Sequence, residues 1–261
     1  MKKIVCFSVL SLCSVLLFAQ DHLSAQQVLE RLSATINRLK TVKYDYHWIT
    51  NFPSQHNYKD IFNKVYLDYT PSQGNTGNDN SNRYGAKLGF KFQVADKDDL
   101  PMEVYNGTDY FSINKTDGTM KVVRNSQYTH FGYYSDNSLV AFQKGLPLII
   151  ADTTAQKYVH DTIIDNKNCY LLFVVLKNKS LIEGRFIPNR LSVEVDPRYE
   201  IAIDKKTFLP MFIKQPSIDT RHPNDYFLTE FTNYDLNYKP KEDTWSYTTY
   251  EKDYKVNFAA H

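Results

Sequence analysis

Seven histidines, at positions 22, 47, 56, 130, 160, 222 and 261, are the first place to look for metal or acid–base chemistry. None sits at a zincin, Cys/His or EF-hand spacing, so no metal site is expected. Two groupings have the residue types of acid–base catalysis: His160 with Asp161, and the cluster Asp96, Asp98 and Asp99. The first falls in an alternating strand pattern and the second in a turn before Pro101, which a strand histidine and surface carboxylates explain. The sequence has no Gly-x-Ser-x-Gly elbow and no phosphate-cradling loop. Lys239 to Asp243 mixes both signs of charge, the pattern of a solvated turn. Beyond Cys6 and Cys13 in the apolar start, Cys169 stands alone in a strand pattern. It can form no intramolecular disulfide and reads as a small buried hydrophobe. No catalytic residue, no cofactor and no enzymatic activity are expected.

The elements that position the remaining residues begin with a leader. Lys2 and Lys3 precede an apolar run from Ile4 to Phe18, then Ala19 and Gln20, the layout of a secretory signal and shorter than the ~20 residues of a membrane span. Residues 1–19 read as a signal peptide, with cleavage after Ala25 as the alternative, and residues 20–261 as a single domain. Leu10, Ser11, Leu12 and Cys13 also resemble a lipoprotein processing site, which would leave an outer-membrane form anchored through Cys13. Leu12 occupies the position that such sites give to a small residue. Removing Lys2 and Lys3 from the 31 basic residues leaves 29 against 29 acidic ones, so bulk charge implies no nucleic-acid partner. The 20 Tyr, 16 Phe and 2 Trp against 9 Gly point to a sheet-rich fold, because rings suit a pleated, half-buried surface.

Ser24 and Gln27 have capping-box spacing ahead of Val28, Leu29, Leu32, Ile36 and Leu39, which predicts one amphipathic helix of about four turns. Period-two alternation then dominates. Tyr44, Tyr46, Trp48 and Phe52 alternate with polar residues, and a second strand-like stretch covers Ile61 to Tyr69. Pro71 to Asn82 is a polar loop, and Tyr84 to Val94 alternates cleanly. Asn106-Gly107 and Asp117-Gly118 predict two hairpins. A short helix from Ser138 to Lys144, closed by Gly145, leads into the apolar stretch Leu146 to Ile150. Hairpins follow around Asp165 to Asn168 and Asp204 to Thr207, the strand Cys169 to Leu176 reads as central, and Tyr226 to Asn233 is the last clear strand. The tail from Lys239 is ambiguous. This order predicts a mainly β (α+β) fold: a single curved antiparallel sheet, a meander, forming an incomplete barrel covered by one or two helices.

Lys43-Tyr44-Asp45-Tyr46 opening a strand after one helix, the run Ile201-Ala202-Ile203-Asp204-Lys205-Lys206-Thr207-Phe208-Leu209-Pro210, and the late strand Phe227 to Thr232 resemble the LolA/LolB-like group of envelope proteins. They are similar in particular to the domain that precedes thioredoxin-like domains in some of them. The resemblance implies about eleven strands around an apolar cavity with helices at its mouth, and carriage of lipid or lipoprotein acyl chains in the periplasm. No Cys-x-x-Cys is present, so any redox role would fall to a separate partner, and no motif matches the cavity arginine of the lipoprotein carriers.

On that reading the cavity lining is Tyr44, Tyr46 and Trp48 on the first strand and Leu88, Phe90 and Phe92 on the clean one, with Leu29, Leu32 and Ile36 as a lid. The expected function is a non-enzymatic periplasmic binding protein, a carrier or sensor of an acyl chain, acting as a monomer. The alternative is a protein-interaction module that docks an envelope partner, such as a thioredoxin-like one, by its sheet edges.

Overall fold

A computed structural model describes residues 23–69, 91–125, 138–182, 184–188, 196–217, 219 and 221–259. The leader, Cys13, the loop from Pro71 to Asn82 and the positions Leu88 and Phe90 lie outside the described residues.

Helix α1 (Ala25–Asn37) starts on the expected capping box. The Gln27 backbone N–H donates to Ser24 Oγ at 3.2 Å, and the Ser24 N–H donates back to Gln27 Oε1 at 2.9 Å. The first half of the chain continues with strands β1 (Thr41–Phe52), β2 (Asn57–Asp68), β3 (Lys91–Ala95), β4 (Pro101–Tyr105), β5 (Tyr110–Asn114) and β6 (Thr119–Val123). Helix α2 (Leu139–Ala151) separates these from β7 (Gln156–Ile164), β8 (Lys167–Val175), β9 (Lys179–Ile182), β10 (Arg185–Pro188), β11 (Arg198–Asp204), β12 (Pro210–Pro216), β13 (Tyr226–Asp235) and β14 (Lys255–Phe258).

The turns form where their residues dictate. Asn106 Oδ1 accepts the Thr108 and Asp109 N–H groups at 2.9 and 2.8 Å before β5. Asp165 and Asn166 both adopt positive φ, 50° and 61°, between β7 and β8. Asp204 Oδ1 accepts from Lys206 and Thr207 ahead of β12.

Twelve strands make one open sheet in the order β14-β6-β5-β4-β3-β2-β1-β13-β12-β11-β8-β7, and β9 pairs with β10 separately. All pairs are antiparallel except β14 with β6. The two marginal strands do not meet, which leaves the incomplete barrel that the strand pattern implied. The chain is not a simple meander, however. β1 lies beside β13, so the middle of the sheet is built from the two ends of the domain.

Two further expectations need correction. The strand Cys169 to Leu176, here β8, is next to the margin and not central. Its helix-side residues Leu172 and Val174 are buried, while Leu171, Phe173 and Val175 are half-buried on the outer face, and so the strand is apolar on both sides. Helix α2 also does not stop at Gly145 but runs through Pro147 to Ala151. A proline inside a helix costs ~3 kcal/mol, whereas burying Leu146 and Ile149 at ~1.5–3 kcal/mol each outweighs it. Pro147 itself is exposed.

Both faces of the sheet carry a core. On one, Val28, Leu29, Leu32 and Ile36 of α1 and Phe142, Leu146 and Ile149 of α2 pack on alternate residues of strands β1 to β3, β8 and β11 to β13. On the other, the ambiguous tail folds back over β2 and β4 to β6, where Trp245 and Tyr250 close on Tyr66, Val104, Phe111 and Met120. Lys239, Lys241, Glu242 and Asp243 remain exposed in that crossing.

Candidate ligand-binding face

Alternation along β1 turns Val42, Tyr44, Tyr46, Trp48 and Thr50 toward the helices and Lys43, Asp45, His47 and Ile49 away from them. Of the lining read from sequence, Tyr44, Tyr46 and Phe92 are at most 1% exposed and belong to the same cluster as Leu29, Leu32 and Ile36. Trp48 is partly buried at its margin. The Tyr44 and Tyr46 rings stand 5.7 and 6.1 Å from Phe231 on β13. Leu88 and Phe90 are not among the described residues.

Burial, and then the neighbouring Tyr69, Tyr234 and Tyr46 hydroxyls, push the Tyr44 hydroxyl far above its ordinary pKa. A hydrogen bond with the Leu139 backbone at the start of α2 works the other way. Burial raises Tyr234 too, and its hydroxyl donates to Pro210 O at 2.8 Å. These phenols stay neutral and act as apolar bodies with one polar tip.

Three polar features on this face have no counterpart in the sequence reading. Glu103 faces the helix side from β4, opposite Val94 and Ser112. Burial raises its pKa against a bond from Tyr110, and its Oε2 has no partner among the described residues. Thr50, Asn63 and Thr229 are at most 3% exposed. Finally, Asp225, the one buried charged residue among those described, accepts the Ser54 N–H at 3.2 Å and the Ser54 hydroxyl. Only strand register could have revealed the first two.

The outer face carries a different arrangement. His47 Nδ1 lies 2.8 Å from Glu230 Oε2 and its Nε2 lies 2.7 Å from Asp60 Oδ1. Burial lowers the imidazole's pKa, but bonds to Asp60 and Glu230 outweigh it and the net shift is upward. The bond from His47, then that from Tyr58, lowers Asp60. Among the described residues no group of three His, Cys, Asp or Glu side chains is placed to hold a metal ion.

The groupings considered for catalysis have structural partners. Asp96 accepts the Asp98 and Leu100 N–H groups and pairs with Lys115; Asp99 pairs with Lys64 at 2.8 Å and Lys43 at 3.1 Å. Both aspartates sit below the usual carboxylate range, Asp96 against its burial through Lys115 and backbone bonds, Asp99 through Lys64 first. Asp161 pairs with Lys205 at 2.8 Å. Cys169 is buried beside Met211, and burial pushes its thiol up. His160 lines an open groove of about 290 Å³ on the outer face with Tyr158, Phe173, Val175 and Arg198.

No family model matches the chain, and no curated protein does. Among solved structures it is similar to MucB, at 12% identity and a TM-score of 0.44, over 85% of this chain and 62% of that one. The chain thus spans less than two thirds of the MucB chain. It is also similar to LprF from Mycobacterium bovis, at 11% identity and a TM-score of 0.45 over 83% and 96% of the two chains. A LolA superfamily protein from Nitrosomonas europaea, NE2245, matches at 10% identity and a TM-score of 0.26 over 84% and 96%. No helix among the described residues is long and apolar enough to cross a membrane. The chain folds as an open, almost wholly antiparallel sheet with two helices on one face.

Proposed function

We propose that this is a non-catalytic binding protein, exported to the periplasm as a monomer after loss of residues 1–19, that accepts an acyl chain of a lipid or lipoprotein between sheet and helices. Tyr44, Tyr46, Trp48 and Phe92 line the path, and Leu29, Leu32 and Ile36 of α1 form the lid. The observation that carries this reading is that Tyr44, Tyr46 and Phe92 form one buried apolar cluster with the α1 side chains, with Trp48 at its margin. Lifting α1 exposes Val28, Leu29, Leu32 and Ile36 at ~1.5–3 kcal/mol each, whereas burying a chain of about 16 carbons contributes ~13 kcal/mol before ordering costs. The exchange therefore favours a ligand that replaces the lid residues.

The test is to purify the exported protein without detergent, extract it with organic solvent and identify co-purified lipid by mass spectrometry. A stoichiometric acyl lipid is expected. No lipid, together with no uptake of the fluorescent apolar probe N-phenyl-1-naphthylamine, would overturn the reading.

A second reading has its own observation. Among the described residues no strand pairs with the outer margin of β7, its Ile163 is 70% exposed, and the Tyr158–Arg198 groove adjoins it. An extended segment of an envelope partner, added as a strand at β7, would suit that margin. A photocrosslinker at position 163 that captures one defined partner, lost in Tyr158→Lys, would support it.

A further inference from the structure

The β9–β10 hairpin stands apart from the main sheet and lies against α2. Leu181 on β9 and Phe186 on β10 lie opposite each other and join the helix-side core. Gly145 of α2 makes room for this contact, since a Cβ there would stand 2.6 Å from the Leu181 side chain. Tyr199 of β11 ties the hairpin to the sheet by accepting the Leu181 N–H at 3.1 Å, and Lys179 pairs with Asp152 at the end of α2 at 2.7 Å.

Alternation turns the flanking residues the other way. Ile182 lies opposite Arg185, and Ser180 opposite Ile187, on the hairpin face that points away from the core. Ile182 is 38% exposed and Ile187 41%. Leu148, also 38% exposed, lies between Gly145 and Asp152, the α2 positions that meet Leu181 and Lys179, and at helical spacing from both. It therefore lines the hairpin's side of the helix. Single exposed aliphatics are ordinary, but three on one small unit over the roof of the acyl site need an explanation.

Charge selects what covers them. The chain is close to balanced overall, with 31 basic and 29 acidic residues. Yet α2 and residues 177–188 together carry Lys144, Lys177, Lys179 and Arg185 against Glu183 alone, which lies outside the described residues. Lys144, Lys177 and Arg185 are exposed. The neighbouring acids are engaged: Asp152 with Lys179, and Asp196 with the Asn178 N–H at 2.9 Å. Long cationic side chains beside aliphatic ones suit the boundary of a bilayer, where the stems and isoleucines enter the acyl layer and the charged ends stay among the head groups. Anionic lipid would neutralise each cation, which an apolar protein patch would leave stranded.

We propose that the β9–β10 hairpin and the adjoining side of α2 dock on the surface of an anionic bilayer, with Ile182, Ile187 and Leu148 entering its outer acyl layer. This rests on the acyl-carrier reading for its purpose and names the source of the chain: α2 roofs the site, so docking here brings the roof to the lipid.

The test is flotation of the exported protein with vesicles of phosphatidylglycerol and phosphatidylethanolamine, against vesicles of phosphatidylcholine alone. The wild type should float with the anionic vesicles, far less with the neutral ones, and should be released by salt. Ile182→Asp/Ile187→Asp should lower the partitioning by about tenfold or more. Lys144→Gln and Arg185→Gln should each lower it by about fivefold. All these side chains are exposed, so thermal midpoints should stay level, and Leu148→Gln, on the helix, checks the result independently of the hairpin. Uptake of N-phenyl-1-naphthylamine from solution should be unchanged in every variant. A wild type that fails to float, floats equally with both vesicles, or floats as well after the substitutions would overturn docking while probe uptake leaves the carrier reading intact. Flotation as expected without any probe or lipid uptake would overturn the carrier reading and leave the docking surface standing.

Discussion

The two faces of the sheet are roofed in different ways. On the helix side, α1 and α2 rest on the strands mainly through aliphatic contacts. Their polar fastenings are side-chain ones: Lys157 Nζ donates to Gln26 Oε1, Ile150 O and Asp152 O at 3.3, 3.1 and 3.0 Å, Lys179 pairs with Asp152 at 2.7 Å, and Gln143 donates to Asn37 at 3.0 Å. On the tail side, the roof is aromatic and bolted down. Gln93 donates to Thr244 at 2.8 Å, Asn106 to Trp245 O at 3.2 Å and Arg124 to Tyr247 at 2.7 Å, while β14 joins the sheet by its backbone. Hydrophobic contact is non-directional and can be exchanged for a ligand's, but each bolt must be broken and left unsatisfied. The tail roof, joined to the sheet by the backbone of β14, is therefore the one built to stay, and the helix roof the easier of the two to lift.

The sharpest break of this comparison is to end the chain at Asp235. Tyr66, Val104, Phe111, Ile113, Met120 and Val122 would lose their cover, at ~1.5–3 kcal/mol each, which is comparable with a domain's whole stability. The shortened protein should fail to give a cooperative thermal transition. A folded, lipid-binding product would show that the tail is dispensable and the comparison wrong.

Next in size are matched cavity substitutions. Trp245→Ala should cost ~3–5 kcal/mol and Leu32→Ala ~2–5 kcal/mol in denaturant unfolding. Only Leu32→Ala should speed the uptake of N-phenyl-1-naphthylamine in stopped flow, because only it loosens the movable roof. Equal acceleration by both would remove the distinction.

Gly184 tests how α2 is held from outside. It has φ +71°, and a Cβ there would meet Lys144 Cβ at 2.5 Å and Ala141 O at 3.0 Å. Gly184→Ala should destabilise by ~1–3 kcal/mol through backbone strain and the clash with α2. A neutral result in chemical unfolding would show that the β9–β10 hairpin does not brace the helix.

The smallest effects are in pH dependence, again one on each face. Glu103 has a raised pKa in the fold, so its contribution is fully present below its ordinary value near 4.5 and is lost as pH rises through the folded value. Glu103→Gln should flatten that decline. His47 is also raised, so its pairing stabilises below about 6.5 and fades above, as the imidazole loses its proton. The difference between wild type and His47→Asn should shrink from pH 6 to pH 9, and a difference that grew with pH would contradict the double pairing.

Local features of the fold could be read directly from residues close together in the chain. Ser24 and Gln27 define the start of α1, and Asn106, Asp165 and Asp204 each set a turn by chemistry that acts over two or three positions. Alternation then assigned Tyr44, Tyr46 and Phe92 to a buried face before any partner was known. What could not be read locally was what those faces would meet. His47 and Glu230 are 183 residues apart, and nothing in either strand's pattern names the other.

Strand period and turn chemistry are short-range, so the sequence by itself determined an antiparallel sheet with an apolar face and a helix to cover it. Register between strands far apart in the chain, and the choice of which segment covers which face, depend on the whole domain packing at once. Tertiary structure alone therefore set β1 beside β13, carried α2 through Pro147 and folded the tail over the second face.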